Sequence, residues 1–336
     1  MSRPTIVLPI SAEGIAQAVD AIRAGRLVAF PTETLYGLGA NALDPDAVAG
    51  IFEAKGRPAT NPVIVHVASA ADATRLGKFH HSRSYFQILA DRFWPGPLSL
   101  VVPRGSNVPD IVTAGGPTVA IRVPAHPVAQ ALLRASGVPI AAPSANRSTC
   151  LSPTRPEHVL RGLDGRIDCL LDGGACSGGL ESTVLDITTD PPTLLRPGLI
   201  AIRELENAIG SVRRQQQAAD SVARSPGQMQ RHYSPRTPLE FAIDDAERRV
   251  ASICADGSRT GWLTFGDAPA IDGVTMEFMP AEPRAYAAKL YSALHRLDLA
   301  GVERIVISLP PENDEWLAIH DRLGRMGKPF LSVPQH

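Results

Sequence analysis

A chain of 336 residues, 44% hydrophobic and 20% charged, is long enough for two domains and has the apolar material to bury full-sized cores. Lys and Arg total 33 against 34 Asp and Glu, a formal net charge of −1, which excludes a global field drawing the protein onto nucleic acid or membrane. No apolar run approaches the ~20 residues that span a bilayer, and the opening MSRPTIVLPI lacks the apolar stretch and small-residue cleavage site of a signal peptide.

The elements follow in chain order. SAEGIAQAVDAIRAG predicts a helix with Ser11 as N-cap, Ile15, Val19 and Ile22 on one stripe, and Gly25 as its stop. RLVAF is a short apolar run of the buried-strand kind. DPDAVAGIFEAK predicts a second helix, with Asp44 as N-cap, Pro45 at the first helical position, and Val48, Ile51 and Phe52 facing inward. Gly56 suits a left-handed stop, which sets Lys55 and Arg57 on either side of it in exposed, orientable positions. PVIVHVAS, PTVAIRVP and VPIAAPS read as strands, SYFQILADRFW and HPVAQALLRASG as helices. CLLDGG, STVLDI and PTLLRPG make a strand-rich finish. This alternation predicts an α/β domain over residues 1–210, built on a twisted open mixed sheet.

From residue 211 the composition shifts. SVRRQQQAADSVARSPGQMQRHYSPRTP has little apolar periodicity, a run of glutamines and several prolines, so 211–238 reads as a linker. Beyond it come strand LEFAI, helix DDAERRVASICA, strand GWLTF, helix PRAYAAKLYSALHRLD, strand RIVISL and helix DEWLAIHDRLGR. Residues 239–336 therefore read as a smaller Rossmann-like α/β domain.

YGLGANA fits G-x-G-x-x-A with Gly37, Gly39 and Ala42, but Pro31 to Tyr36 intervene between strand and glycines. The acidic residue a dinucleotide site needs about 20 positions on is replaced by Arg57. No G-x-x-x-x-G-K-[ST] is present, which excludes a P-loop. In PTVAIRVP, alternation puts Thr118, Ala120 and Arg122 on one face, so Arg122 is either partnered in the interior or on a solvent-facing edge strand. His66 shares a strand face with Ile64 and Ala68, where a lone histidine is more often a satisfied core residue than a catalyst. APSANRS and LESTVLD offer Ser144, Asn146, Ser182 and Thr183 as hydrogen-bonding groups without bulk, or as ordinary turn chemistry. Arg196 in TLLRPG is exposed by default. The cysteines Cys150, Cys169, Cys176 and Cys254 form no CxxC pair or zinc spacing, and His80 and His81 lack acidic neighbours. Free thiols in a reducing cytoplasm, and no protein metal site, are expected.

Lys55, Arg57, Arg122 and Arg196 together supply cations from separated parts of the chain, enough to hold a triphosphate of charge about −4 without a P-loop. There is no Ser-His-Asp order, no paired carboxylates and no thiol elbow. Chemistry built from cations and hydroxyls suits phosphoryl or nucleotidyl transfer, where positioning and charge stabilisation dominate.

Taken in order, FPTETLYGLGANA, KGRPATNPVIVHV, PTVAIRVP, APSANRS and LESTVLD with LLRPG resemble the YrdC-like catalytic domain of threonylcarbamoyl-AMP synthases, over about residues 10–205. RHYSP and AYAAKLYSALHRLD resemble the linker and C-terminal domain of that family's long form. The resemblance implies a nucleotidyltransferase that makes threonylcarbamoyl-AMP and pyrophosphate from L-threonine, bicarbonate and ATP, with Mg²⁺ arriving on ATP. The product would pass to a tRNA-modifying transferase complex that forms threonylcarbamoyladenosine. It further implies that Arg57, Asn61, Thr118, Ala142, Ser144, Asn146, Ser152 and Arg196, with His232 and Tyr233 of the linker, contact ATP. Thr34, His66, Arg122 and Ser182 would hold threonine. Lys55 and Arg57 would be catalytic, Lys55 on phosphate or carbamate. The family's linker often carries a Lys and a Tyr where this chain has Gln228, Met229 and Gln230. The alternative is an RNA-binding module gripping tRNA phosphates, against which stand the net charge of −1 and 5% aromatic content. Neither stable nucleic-acid binding nor membrane association is expected.

Overall fold

The structure, a computed structural model, describes residues 4–79, 82–215, 234–242 and 245–327. It divides into two compact units, residues 1–148 with 152–228, and residues 149–151 with 229–336. Among the described residues no helix is long and apolar enough to cross a membrane.

The first unit opens with β1 (Ile6–Pro9), α1 (Ala12–Arg23), β2 (Val28–Pro31), β3 (Tyr36–Asn41), α2 (Pro45–Lys55) and β4 (Ile64–His66). Next come α3 (Ala70–Ala73), α4 (Arg83–Phe93), β5 (Leu98–Pro103), α5 (Asp110–Thr113), β6 (Thr118–Arg122), α6 (Pro127–Ser136) and β7 (Ile140–Ala141). It closes with α7 (Pro156–Leu163), β8 (Cys169–Asp172), β9 (Thr183–Asp186), β10 (Thr193–Arg196), α8 (Ile202–Ile209) and β11 (Arg213–Arg214). The strands form one 11-stranded sheet in the order β1-β8-β2-β3-β7-β4-β6-β5-β9-β10-β11. Its pairings are both parallel, as β4 with β6, and antiparallel, as β5 with β6. The expected mixed α/β sheet is thus the observed one.

Local signals account for the helices that position the site. Ser11 caps α1 by accepting the Gly14 N–H at 3.0 Å. Asp44 caps α2 through the N–H groups of Asp46 and Ala47, and Pro45 opens it. At the other end Gly56 adopts φ 60°, ψ 40°. The Gly56 and Arg57 N–H groups then reach back to the carbonyls of Glu53 and Phe52 at 3.1 and 2.9 Å, closing the helix in a Schellman pair. A Cβ at Gly56 would meet nothing within 4 Å, so Gly56→Ala carries only the backbone penalty of a left-handed residue. We expect urea denaturation to show a loss of about 1 kcal/mol; an unchanged midpoint would contradict that origin.

The apolar faces of α1 and α6 pack on the sheet through Ala18, Val19, Ile22, Val128, Leu132 and Leu133 against Val28, Phe30, Ile140 and Leu171. Farther along the sheet, Ile64, Val101, Ala120, Val184 and Leu195 form a smaller apolar cluster. β6 lies between β4 and β5, so it is an interior strand and not the solvent-facing edge the alternation left open. β11 falls inside the segment read as linker and pairs with β10.

The second unit contains β12 (Leu239–Ala242), α9 (Ala246–Ala255), β13 (Thr260–Leu263), β14 (Thr275–Glu277), α10 (Pro283–Leu299), β15 (Arg304–Ser308) and α11 (Leu317–Met326). Its sheet, ordered β12-β15-β13-β14, is parallel throughout, as the Rossmann-like reading expects. Val250, Ile253, Trp262 and Val306 build its core. The short stretch 149–151 joins this unit by backbone pairing, with the Ser234 N–H bonding the Thr149 carbonyl at 3.0 Å.

Candidate active site

The site grows from β6 and its neighbours. Register places Arg122 opposite His66 on β4 and opposite Ser99 on β5. Alternation puts those side chains on the face of Ile64, Ala120 and Val101, the small apolar cluster. A cation emerging from such a floor must be answered by hydrogen bonds. Arg122, 3% exposed, donates from Nε to the Gly96 carbonyl at 3.2 Å, from Nη1 to Thr34 Oγ1 at 2.9 Å and from Nη2 to Glu33 Oε1 at 2.6 Å.

His66 is buried and its Nδ1 has no hydrogen-bond partner among the described residues. Its ring meets Phe30 edge-on, the centroids 6.3 Å apart. Burial first, and then the Arg122 charge, lower its pKa from 6.5 to about 3, so the imidazole stays neutral at physiological pH. The unfolded chain takes up a proton below 6.5 that the folded protein refuses, so acid favours unfolding. The cost is about 1.4 kcal/mol per pH unit across the window from 6.5 down to about 3. His66→Gln abolishes this penalty. The stability difference between variant and parent should therefore move in the variant's favour as urea titrations are repeated from neutral pH towards acid. Parallel pH profiles would contradict the assignment.

On the other side, Ser99 Oγ and Ser182 Oγ lie 2.8 Å apart. Arg196, only 4% exposed, donates to the Ser182 carbonyl from Nε and Nη2 at 3.1 and 3.0 Å and to Ser182 Oγ at 3.2 Å. Thr34, His66, Arg122, Ser182 and Arg196 are thereby joined through direct bonds and strand register.

A second group surrounds the end of α2. Lys55, 2% exposed, donates from Nζ to the carbonyls of Ser144 and Asn146, while the Ser148 N–H bonds the Lys55 carbonyl at 2.8 Å. Ser144 in turn bridges to Gly37 of β3. Arg57, 7% exposed, donates to the carbonyls of Asn61 and Pro62, the latter at 2.9 Å. Ala142 ties the two groups together, its N–H reaching the Ile64 carbonyl of β4 at 2.9 Å. The expectation that Lys55, Arg57 and Arg196 stand exposed is therefore corrected. Each is buried, because backbone carbonyls close over the cation and replace its water: those of Ser144 and Asn146 for Lys55, of Asn61 and Pro62 for Arg57, and of Ser182 for Arg196.

Ser152 is fully buried and donates to Glu181 Oε1 at 2.7 Å. Thr118 is not brought to Arg122: it begins β6 where Arg122 ends it, about 13 Å away at the strand rise. His232 and Tyr233 lie outside the described residues. Among the described residues no cluster of three or more His, Cys, Asp or Glu is placed to hold a metal ion.

Sequence reasoning passed over Glu33, Ser99 and Glu181. Glu33 had a signal, an acid flanked by two threonines inside FPTETLYGLGANA, whereas Ser99 and Glu181 are marked only by partners distant in the chain. What the arrangement offers is anion recognition by buried cations beside small hydroxyls.

Comparison with known proteins bears on what the anion is. A Sua5/YciO/YrdC family profile described as "Telomere recombination" matches residues 20–198. One described as the C-terminal domain of threonylcarbamoyl-AMP synthase matches residues 200–326. The chain is 42% identical to the threonylcarbamoyl-AMP synthase of Pyrococcus abyssi, covering 91% of this chain and 92% of that one. It is 43% identical to the synthase of Bacillus subtilis, covering 92% and 91%. A crystal structure of P. abyssi Sua5 complexed with L-threonine is 41% identical, covers 96% of this chain and 97% of that one, and superimposes with a TM-score of 0.86.

Proposed function

The chain belongs to the Sua5/YciO/YrdC family of threonylcarbamoyl-AMP synthases, and from that premise we propose that it converts L-threonine, bicarbonate and ATP into threonylcarbamoyl-AMP and pyrophosphate. It is an enzyme that transfers a nucleotidyl group. The observation that carries the reading is Arg122, a guanidinium fixed among Thr34, Gly96 and Glu33 on an apolar floor, with Ser182 and Arg196 linked beside it. Such a fork suits a bidentate carboxylate, the group every amino acid carries.

In this reading Arg122 takes the threonine carboxylate, while Thr34, Ser182 and the neutral His66 meet its other polar groups. Arg57, Asn61, Thr118, Ala142, Ser144, Asn146, Ser152 and Arg196, with His232 and Tyr233, contact ATP. Mg²⁺ arrives on the phosphates of ATP. The threonine amine captures CO2 supplied by bicarbonate, the amine proton and the hydroxide lost from bicarbonate leaving as water, and an oxygen of the resulting carbamate attacks the α-phosphorus as pyrophosphate leaves. Arg57 and Arg196 offset the charge that develops there. Lys55 holds the Ser144–Asn146 loop in place by donating to both carbonyls. The product is handed to a tRNA-modifying transferase complex, without stable binding of nucleic acid by this chain. A reducing cytoplasm is the expected setting, in keeping with four free thiols.

The test is an omission assay on the purified full chain. Pyrophosphate release should require ATP, L-threonine and bicarbonate together. Release that ignores threonine, or no release at all, would overturn the reading.

A further inference from the structure

Beyond carboxylate capture, an amino-acid site has a second charge to bury. A zwitterion brings an ammonium into the same pocket, where an unpaired charge is strongly disfavoured. Within the Arg122 cluster one acid is available. Glu33 bonds Arg122 Nη2 through Oε1, and its other oxygen, Oε2, is buried with no hydrogen-bond partner among the described residues. An ionised carboxylate is an acceptor only, so a buried oxygen of this kind calls for a donor.

We infer that Glu33 receives the ammonium of the substrate on Oε2, so that Glu33 and Arg122 together recognise the amino acid as a zwitterion. The inference rests on the proposed function for the presence of an amino-acid substrate, and assigns that site a residue of its own.

Arg122 remains able to serve the carboxylate. Its Nη1 and Nη2 each make one bond to Thr34 and Glu33, and each terminal nitrogen carries a further N–H. The carboxylate and ammonium of one ligand thus find a cation and an anion already side by side at 2.6 Å. The pair is also preorganised. Thr32 Oγ1 accepts the N–H groups of Thr34 and Leu35, both at 3.1 Å, which folds the turn that carries Glu33. From the facing glycine-rich loop the Gly178 N–H bonds the Glu33 carbonyl at 2.8 Å and the Gly179 N–H bonds that of Thr34 at 3.2 Å. A Cβ at Gly178 would lie 2.4 Å from a Leu199 methyl and 2.8 Å from the Glu33 carbonyl, so the loop is held against Glu33 by having no side chain there.

The arrangement selects by charge. A zwitterion leaves the pocket's balance unchanged, with one ion of each sign answered. A hydroxy acid without the amine sets its carboxylate beside Glu33 with nothing to answer that anion.

The experiment is calorimetric titration of the full chain with L-threonine and with (R)-3-hydroxybutyrate, which keeps the carboxylate and hydroxyl and lacks the amine. Parent protein should bind threonine at least roughly tenfold more tightly than the analogue, the share expected of one hydrogen bond to a charged group. Glu33→Gln should lose roughly tenfold or more for threonine, bind the analogue more tightly than the parent does, and so erase the discrimination. Equal binding of both ligands by the parent overturns the inference, and this comparison decides even where E33Q does not fold. A folded E33Q that binds threonine as the parent does also overturns it, leaving the proposed function standing. Discrimination that disappears in E33Q, from a parent that releases no pyrophosphate, supports the pairing and overturns the function instead. A parent that binds no threonine overturns both.

Discussion

Arg122→Ala should raise the KM for threonine about 100-fold and destabilise the first unit by about 3 kcal/mol. Both effects come from one guanidinium that holds three segments: the Gly96 loop, Thr34 and Glu33. Removing it leaves Glu33 in place with its charge unanswered, and breaking a buried pair from one side costs about 3–5 kcal/mol. The lower end applies because the Glu33 side chain is 16% exposed against 4% for Arg122. The double variant Arg122→Met, Glu33→Leu separates the two effects. With both charges gone, stability should return to near that of the parent, since an apolar pair of similar volume replaces an ion pair at little cost. Threonine binding should not return. Urea denaturation and threonine-dependent pyrophosphate release read the two quantities independently. A single variant as stable as the parent would show that Glu33 does not depend on Arg122.

The next largest effect is expected at Lys55. Lys55→Met keeps the apolar stem and deletes the ammonium that bonds the Ser144 and Asn146 carbonyls. Losing both of these charge-assisted bonds at once should cost about 3 kcal/mol. It should also loosen the loop that the proposed function sets against ATP, lowering kcat/KM by roughly 10²–10³. An exposed lysine acting by charge alone would lose the activity and keep the stability. The buried lysine loses both. Thermal unfolding of the variant beside its kinetics decides between them, and a variant as stable as the parent would contradict the positioning role.

The reach of the sequence can be traced through these same residues. The caps of α2, Asp44 and Gly56, were legible because a cap is local: the side chain or backbone twist that ends a helix sits within a turn of it. The strand alternation that puts Arg122, Ala120 and Thr118 on one face was legible for the same reason. Whether that face looked at solvent was not, since β6 becomes interior only through β4 and β5, which come from either side of it. The glycines of YGLGANA show the difference well. They lie within β3, and a Cβ at Gly39 would come within 2.8 Å of the Phe30 ring and of an Ile140 methyl. Close packing between strands explains them, which is why the dinucleotide spacing failed. Burial of Lys55, Arg57 and Arg196 was hidden because each is met by backbone carbonyls, which leave no mark in side-chain composition. Glu33 was visible as a residue and illegible as a partner until β6 delivered Arg122 to it.

The most direct test of the account follows the bicarbonate carbon. The full chain is incubated with ¹³C-labelled bicarbonate, L-threonine and Mg-ATP, and the nucleotide product is analysed by mass spectrometry. The account predicts an adenylate that contains both threonine and the labelled carbon, formed together with pyrophosphate. An adenylate carrying threonine without the label would mean simple amino-acid activation and would contradict it.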